Sequence, residues 1–256
     1  MSAHEALRLH CKALRLPTLL STLADTTAMA EREGWTYDQL LLTLFEQELE
    51  GRRQRRVQRL LKQSQLPADK TLAQFDMQRL PRQIQRVLPK LCDGSFADRA
   101  ENILFFGLPG TGKTHAAAAV GYELIHCGYT VLFVPTFRLV GRLLKARRDY
   151  ELERELRRLD RFQVVILDDI GYVQQSQEEM EVLFTFLAER YERRSVIITS
   201  NLVFSQWDRI FKNPLTTAAA IDRVVHHSTI IEFGQEMKSV RAEEAAHRQR
   251  QLQASS

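Results

Sequence analysis

Residues 102–125 read Asn-Ile-Leu-Phe-Phe-Gly-Leu-Pro-Gly-Thr-Gly-Lys-Thr-His-Ala-Ala-Ala-Ala-Val-Gly-Tyr-Glu-Leu-Ile, and three patterns follow one another within them. Asn102 to Phe106 is an apolar run of strand length, Gly107 to Thr114 is a full G-x-x-x-x-G-K-[ST] octapeptide, and His115 to Ile125 has helical periodicity. Strand, glycine loop and helix in that order form a grip for phosphate. Glycines let the backbone curl with its N–H groups inward, a lysine reaches the β and γ oxygens, and a hydroxyl takes Mg²⁺. The pattern assigns Gly107, Leu108, Pro109, Gly110, Thr111, Gly112, Lys113, Thr114 and His115 to nucleotide binding, with Thr114 at the metal. His115 reads as packed on the helix rather than as a chemical group. The implied ligands are ATP and Mg²⁺.

Outward from this stretch, strand-like and helical runs alternate. Apolar strand runs stand at Ile103–Phe106, Val131–Val134, Val164–Leu167, Val196–Thr199 and Thr229–Phe233. Five such runs separated by helical segments predict an α/β fold, a parallel sheet covered on both faces. Right-handed crossovers put the loops that follow the strands on one edge, where nucleotide binds. Residues 1–66 show only helical periods, punctuated by Pro17 and Gly34, and predict an all-α N-terminal module. Residues 67–100, broken by Pro67, Pro81, Pro89 and Gly94, read as a linker, and 101–256 as the ATP-binding domain.

The third strand ends in Asp168-Asp169. Successive strand side chains face opposite ways, so the two acids take different tasks: Asp168 holds Mg²⁺ beside Thr114, and Asp169 orients the attacking water. Helix capping or a solvated turn is the plain alternative for such a pair. The fourth strand ends in Thr199-Ser200-Asn201; laid beside the third, it brings Asn201 toward the γ-phosphate, with ordinary strand-end turn chemistry as the alternative. Arg223 lies beside Asp222 in a helical segment, and spacing favours an intrahelical pair over a finger offered to a neighbouring subunit's ATP.

The chain has 256 residues and a formal net charge of +4. Residues 1–100 carry 16 Lys/Arg against 12 Asp/Glu, so the excess lies in the N-terminal part. Arg52, Arg55, Arg56 and Arg59 share one helix face and form a candidate DNA stripe, with Gly51 a possible kink and Glu46, Glu48 and Glu50 near enough to pair with it. A second basic group, Arg138, Arg142, Lys145, Arg147 and Arg148, has few acids near it in sequence and ranks first for DNA contact. Neither group has an aromatic series, which points to phosphate contact with little base reading. The three cysteines, Cys11, Cys92 and Cys127, share no metal or disulfide spacing, and no apolar run has membrane-spanning length. A cytoplasmic protein with no membrane partner is expected.

The order of phosphate loop, Leu-Asp-Asp strand, Thr-Ser-Asn strand and Ala-Ala-Ala-Ile-Asp-Arg-Val-Val-His-His resembles the IstB type of AAA+ ATPase, an ATP-binding helper encoded by certain insertion sequences. The likeness covers nearly the whole chain and extends to bacterial replicative helicase loaders, whose ATPase motifs are similar. It implies a slow, switch-type ATPase that assembles as a homo-oligomer on duplex DNA, selects a target and recruits a transposase. It also implies that Lys113, Asp169, Asn201 and Arg223 act in catalysis, Arg223 as a trans-acting finger, and that Arg241 is a second sensor. Two departures accompany the likeness. The 23 residues after Phe233 are too few for the usual helical lid, and Asp169 stands where a glutamate is common. A helicase loader is the alternative reading, and a small-molecule P-loop kinase a third that the paired acids disfavour.

Overall fold

The computed structural model describes residues 3–171, 176–202, 207 and 221–234, and the chain divides into two compact units, Met1–Arg59 and Leu60–Ser256. The first unit contains α1 (Ala3–Ala13), α2 (Pro17–Glu33) and most of α3 (Tyr37–Ser64). Pro17 starts α2, where its missing N–H costs nothing, and Gly34 ends it in the left-handed conformation at φ +68°. Cys11, Leu19 and Leu44 form the small buried core of this unit.

Helix α3 runs through Gly51 without a break. Gly51 is needed for close approach: a Cβ there would lie 2.2 Å from Thr18 Oγ1. Three residues earlier on this face, Glu48 is buried and does the work that α2 lacks at its own start, where no side chain caps the helix. Its Oε2 accepts from the Thr18 and Leu19 amides at 2.8 and 3.0 Å, two of the donors every helix N-terminus leaves unpaired. Its Oε1 accepts from Arg52 Nε at 3.0 Å and Arg55 at 3.1 Å. Burial works to raise the Glu48 pKa, but these amides and the Arg52 guanidinium outweigh it and hold the carboxyl below its ordinary range.

In the second unit, α4 (Arg82–Leu91) and α5 (Ser95–Asp98) precede the sheet. Then come β1 (Asn102–Gly107), α6 (Lys113–His126), β2 (Val131–Pro135), α7 (Thr136–Arg148), α8 (Leu152–Leu159), β3 (Val164–Asp168), α9 (Gln177–Arg190), β4 (Ser195–Ser200) and β5 (Ser228–Phe233). All five expected strands are present, each within a residue of its predicted limits, and they pair in parallel in the order β2, β3, β4, β1, β5. Leu104, Phe106, Leu132, Val134, Val165, Leu167, Val196 and Ile198 face α7, α8 and α9 in one core cluster. Alternate residues face α6, whose Ala116–Ala119 are fully buried.

Small residues let α6 lie close to the sheet. A Cβ on Gly121 would sit 2.8 Å from Ile166 Cδ1 and 3.1 Å from Leu66 Cδ2. The segment before the core, expected as a linker, packs on the outer side of this helix. Tyr122 donates its hydroxyl to Pro67 O at 3.1 Å, and His115 Nε2 donates to Thr71 O at 2.9 Å with its ring 4.6 Å from that of Phe75. At the entry edge of the sheet, buried Arg190 donates to the carbonyls of Leu159, Phe162, Gln163 and Ser195. Burial pushes its guanidinium down to about 9, so it remains charged at neutral pH.

Candidate phosphate site

The exit edge of the parallel strands gathers the site. β1 runs into the loop Gly107–Gly112, and the loop opens directly into α6. Gly107, Gly110 and Gly112 adopt φ of +148°, +83° and +99°, values that side-chain-bearing residues rarely take. At Gly107 a Cβ would also meet the Phe233 carbonyl at 2.5 Å. Gly112 is the residue before α6 and supplies no side-chain cap, so the first amides of a 14-residue helix stand uncapped by any side chain. Uncapped amides at the positive end of a helix dipole suit an anion. Lys113 is buried at the rim, its ammonium donating to the Gly107 and Leu108 carbonyls at 2.7 and 2.8 Å. Among the described residues, no hydrogen bond occupies the Thr114 hydroxyl.

Register explains how the acids arrive. Ile166 packs toward Gly121 of α6, so Asp168, two residues on, faces the same side as the helix that begins at Lys113. β3 and β4 pair with Leu167 opposite Ile198, which sets Asp168 and Thr199 side by side. Thr199 donates its hydroxyl to Asp168 Oδ1 at 2.8 Å and accepts the Asp169 amide at 2.8 Å. Asp169 lies beyond the end of β3, at φ +60° in the left-handed region, and its side chain is exposed. Its division from Asp168 therefore comes from a turn, not from strand alternation. The start of α7 is tied to the same point by Thr136, whose hydroxyl donates to Asp168 O at 3.0 Å.

Asn201 follows β4, as expected. Its Oδ1 is buried without a hydrogen-bond partner among the described residues, and a Cβ on Gly171 would fall 2.4 Å from it. A buried, unpaired carboxamide oxygen fits a position awaiting a donor such as water. Thr199 was not among the site residues expected from the sequence, yet it bonds to both acids. Its signal was its register, since a hydroxyl opposite a strand-end acid can brace both the acid and the following amide.

The arginines are distributed differently from their sequence pattern. Arg223 makes no ion pair with Asp222 among the described residues; its guanidinium lies 4.9 Å from the centre of the Phe184 ring. Arg52 and Arg55 are engaged with Glu48 inside the helical unit, which removes half of that stripe from ready phosphate contact. In α7, Arg142 pairs with Glu155 and Arg147 with Glu181, acids distant in sequence that the local charge count missed. Arg138 lies 5.8 Å from the exposed Phe137 ring, while Lys145 and Arg148 are exposed without an ion pair among the described residues. Arg241 and the segment considered for a lid lie outside the described residues. No described helix is long and apolar enough to cross a membrane.

A parallel five-stranded sheet with this strand order, a glycine loop leading into α6 and acids at the end of β3 define a P-loop nucleotide-binding core with the AAA+ fold. AMPPCP-bound DnaA from Aquifex aeolicus has the same fold with a TM-score of 0.56 at 18% identity, over 69% of this chain and about half, 53%, of its own. DnaI matches with a TM-score of 0.52 at 22% identity, over 68% and 93% of the two chains. The chain belongs to the IstB-like ATP binding protein family, whose pattern matches residues 9–247. A Sinorhizobium fredii protein named as an insertion sequence ATP-binding protein is 42% identical over 238 residues, 93% of this chain and 80% of its own. A Pseudomonas aeruginosa protein named for insertion sequence IS21 and ATP binding is 38% identical, over 85% and 82% of the two chains.

Proposed function

We propose that this protein is an ATP-controlled DNA-binding helper of transposition: it binds ATP with Mg²⁺, assembles with copies of itself on duplex DNA, presents that target to a transposase, and disassembles after slow hydrolysis. The observation that carries this reading is the convergence on one sheet edge of the uncapped α6 start, Lys113, and the Asp168–Thr199–Asp169 bridge. Relatives named for insertion sequences support the transposition part.

In this reading the amides of Gly110 to Thr114 and the Lys113 ammonium bind the phosphates, and Lys113 exchanges its two carbonyl partners for them. Thr114 and Asp168 would hold Mg²⁺, which would supply neutralisation of phosphate charge. Asp169 accepts a hydrogen bond from the attacking water, and Asn201 helps to orient it. Hydrolysis is slow because aspartate reaches less far than glutamate, which suits a timer. Arg223, stacked on Phe184 and unpaired with Asp222, serves a neighbouring subunit's nucleotide. Lys145, Arg148 and Arg138 on α7 contact DNA phosphates.

Two variants test the division of labour. Lys113→Ala loses ATP binding and with it ATP-dependent DNA retention. Asp169→Ala keeps ATP binding, falls in hydrolysis by about 10²-fold or more, and holds duplex DNA longer. Equal loss of ATP binding in both variants, in filter binding and turnover assays, overturns the assignment.

A further inference from the structure

At the entry edge of the sheet, opposite the phosphate site, two turns meet. One joins α9 to β4 at residues 191–194, and the other joins the helical residues 221–225 to β5. Because β4 and β5 both flank β1, the start of β1 fastens the two turns together through one side chain. Asn102 donates Nδ2 to Val224 O at 3.1 Å and its amide to His227 O at 2.7 Å, while its Oδ1 accepts the Val196 amide at 3.0 Å. Above this anchor, Glu192, His226 and His227 each bring a ligand atom within 4.8 Å of the other two.

We propose that Glu192, His226 and His227 form a binding site for a divalent transition-metal ion of the imidazole-preferring kind, with Zn²⁺ as its type. Two imidazoles and one carboxylate form a common set for such an ion, with the fourth tetrahedral position left to water. Bonds of about 2.0–2.1 Å place tetrahedral ligand atoms about 3.4 Å apart. His227 Nε2 and Glu192 Oε1 already stand at 3.7 Å, and the two imidazole centres at 4.2 Å. All three side chains are exposed, so an ion has an open approach and the rings have room to close the remaining distance.

A supporting group is in place behind the ligands. The Tyr191 hydroxyl lies 3.1 Å from His226 Nδ1, which leaves Nε2 of that ring for the ion, and it also bonds to Glu192. With Nε2 on the ion, Nδ1 carries the hydrogen and donates to the Tyr191 oxygen, while the hydroxyl donates to Glu192. Outer partners of this kind fix ring orientation and typically govern affinity by 10- to 100-fold. The site is separate from Thr114 and Asp168, which lie at the other end of the strands, and its existence does not depend on the role given to Arg223.

The test uses the full chain, nucleotide-free and chelator-treated, in buffer with excess Mg²⁺. Calorimetric titration with Zn²⁺ is expected to show one saturable equivalent and a raised midpoint of thermal unfolding. His226→Gln/His227→Gln is expected to lose that equivalent, and Tyr191→Phe to weaken it by about tenfold. Co²⁺ substitution is expected to give visible d–d bands without the intense near-ultraviolet band of thiolate ligation. Absence of saturable Zn²⁺ binding, equal binding by the double variant, or a thiolate band assigning the ion to Cys92 or Cys127 each overturns the site. Should the double variant fail to fold, unchanged Zn²⁺ affinity in both Glu192→Gln and Tyr191→Phe overturns it equally.

Discussion

Thr199→Val removes one hydroxyl and leaves shape almost unchanged, so it isolates the bridge between the two acids. Thr199 is 1% exposed, and its hydroxyl has two partners: it donates to Asp168 Oδ1 and accepts from the Asp169 amide, both at 2.8 Å. Loss of a hydrogen bond to a charged group costs about 1.5–3 kcal/mol, and an amide left without its acceptor costs about 1–3 kcal/mol. Part of each cost is recovered by water at this open edge, so the net loss of stability is about 3 kcal/mol. Chemistry suffers separately. Asp168 and Asp169 lose the group that sets their mutual geometry, and misplacement on the order of 1 Å costs about 10²-fold in rate. Chemical denaturation and ATP turnover, measured in parallel, read the two effects. Thr199→Ser keeps the hydroxyl and is expected to stay within about threefold of the parent in turnover, a bound on the order of 0.6 kcal/mol. A Thr199→Val protein with parental stability and parental turnover refutes the bridge, and so does a Thr199→Ser protein as defective as Thr199→Val.

Two further outcomes concern the helical unit and the DNA surface. Glu48→Gln is expected to destabilise the N-terminal unit by about 2 kcal/mol, at the lower end for a broken ion pair because both arginines are half exposed. The depressed Glu48 pKa makes this contribution complete above the unfolded carboxyl's value, near 4.3, and lost as pH falls through the lower folded value. Helical circular dichroism against denaturant at pH 7 and pH 3 checks it: the gap between parent and variant should shrink at the lower pH. Lys145→Ala/Arg148→Ala should lower the slope of log affinity for duplex DNA against log salt by about 2, close to one for each phosphate contact removed. An unchanged slope excludes this face of α7 from the DNA interface.

The phosphate loop, the five strand runs and the acids after the third were legible in the chain because each depends on local pattern. Loop chemistry needs glycine and lysine at fixed spacing, and a strand buried on both faces needs a continuous apolar run. Asn201 was legible for the same reason, as a polar residue at a strand end. The partners of the α7 arginines were not. Arg142 and Arg147 look unopposed along the chain, yet Glu155 and Glu181 reach them across helix packing. For Arg52 the partner was in reach along the chain, since Glu48 lies one turn before it, but that this carboxylate is buried and also takes Arg55 came only from packing.

What the sequence by itself determined is therefore the class of chemistry: a parallel sheet with a phosphate grip at its exit edge and two acids beside it. Tertiary structure decided which side chains share that chemistry. Strand register placed Thr199 against Asp168, a left-handed turn separated Asp169 from it, and the strand order brought the turns carrying Glu192 and the two histidines together at the opposite edge. The physical reason is range. Backbone periodicity and loop geometry act over a few residues and leave a trace in spelling, whereas the Arg147–Glu181 ion pair, the Thr199 hydroxyl bridge and the approach of Glu192 to His226 join residues about 30 or more positions apart and exist only once the chain has folded.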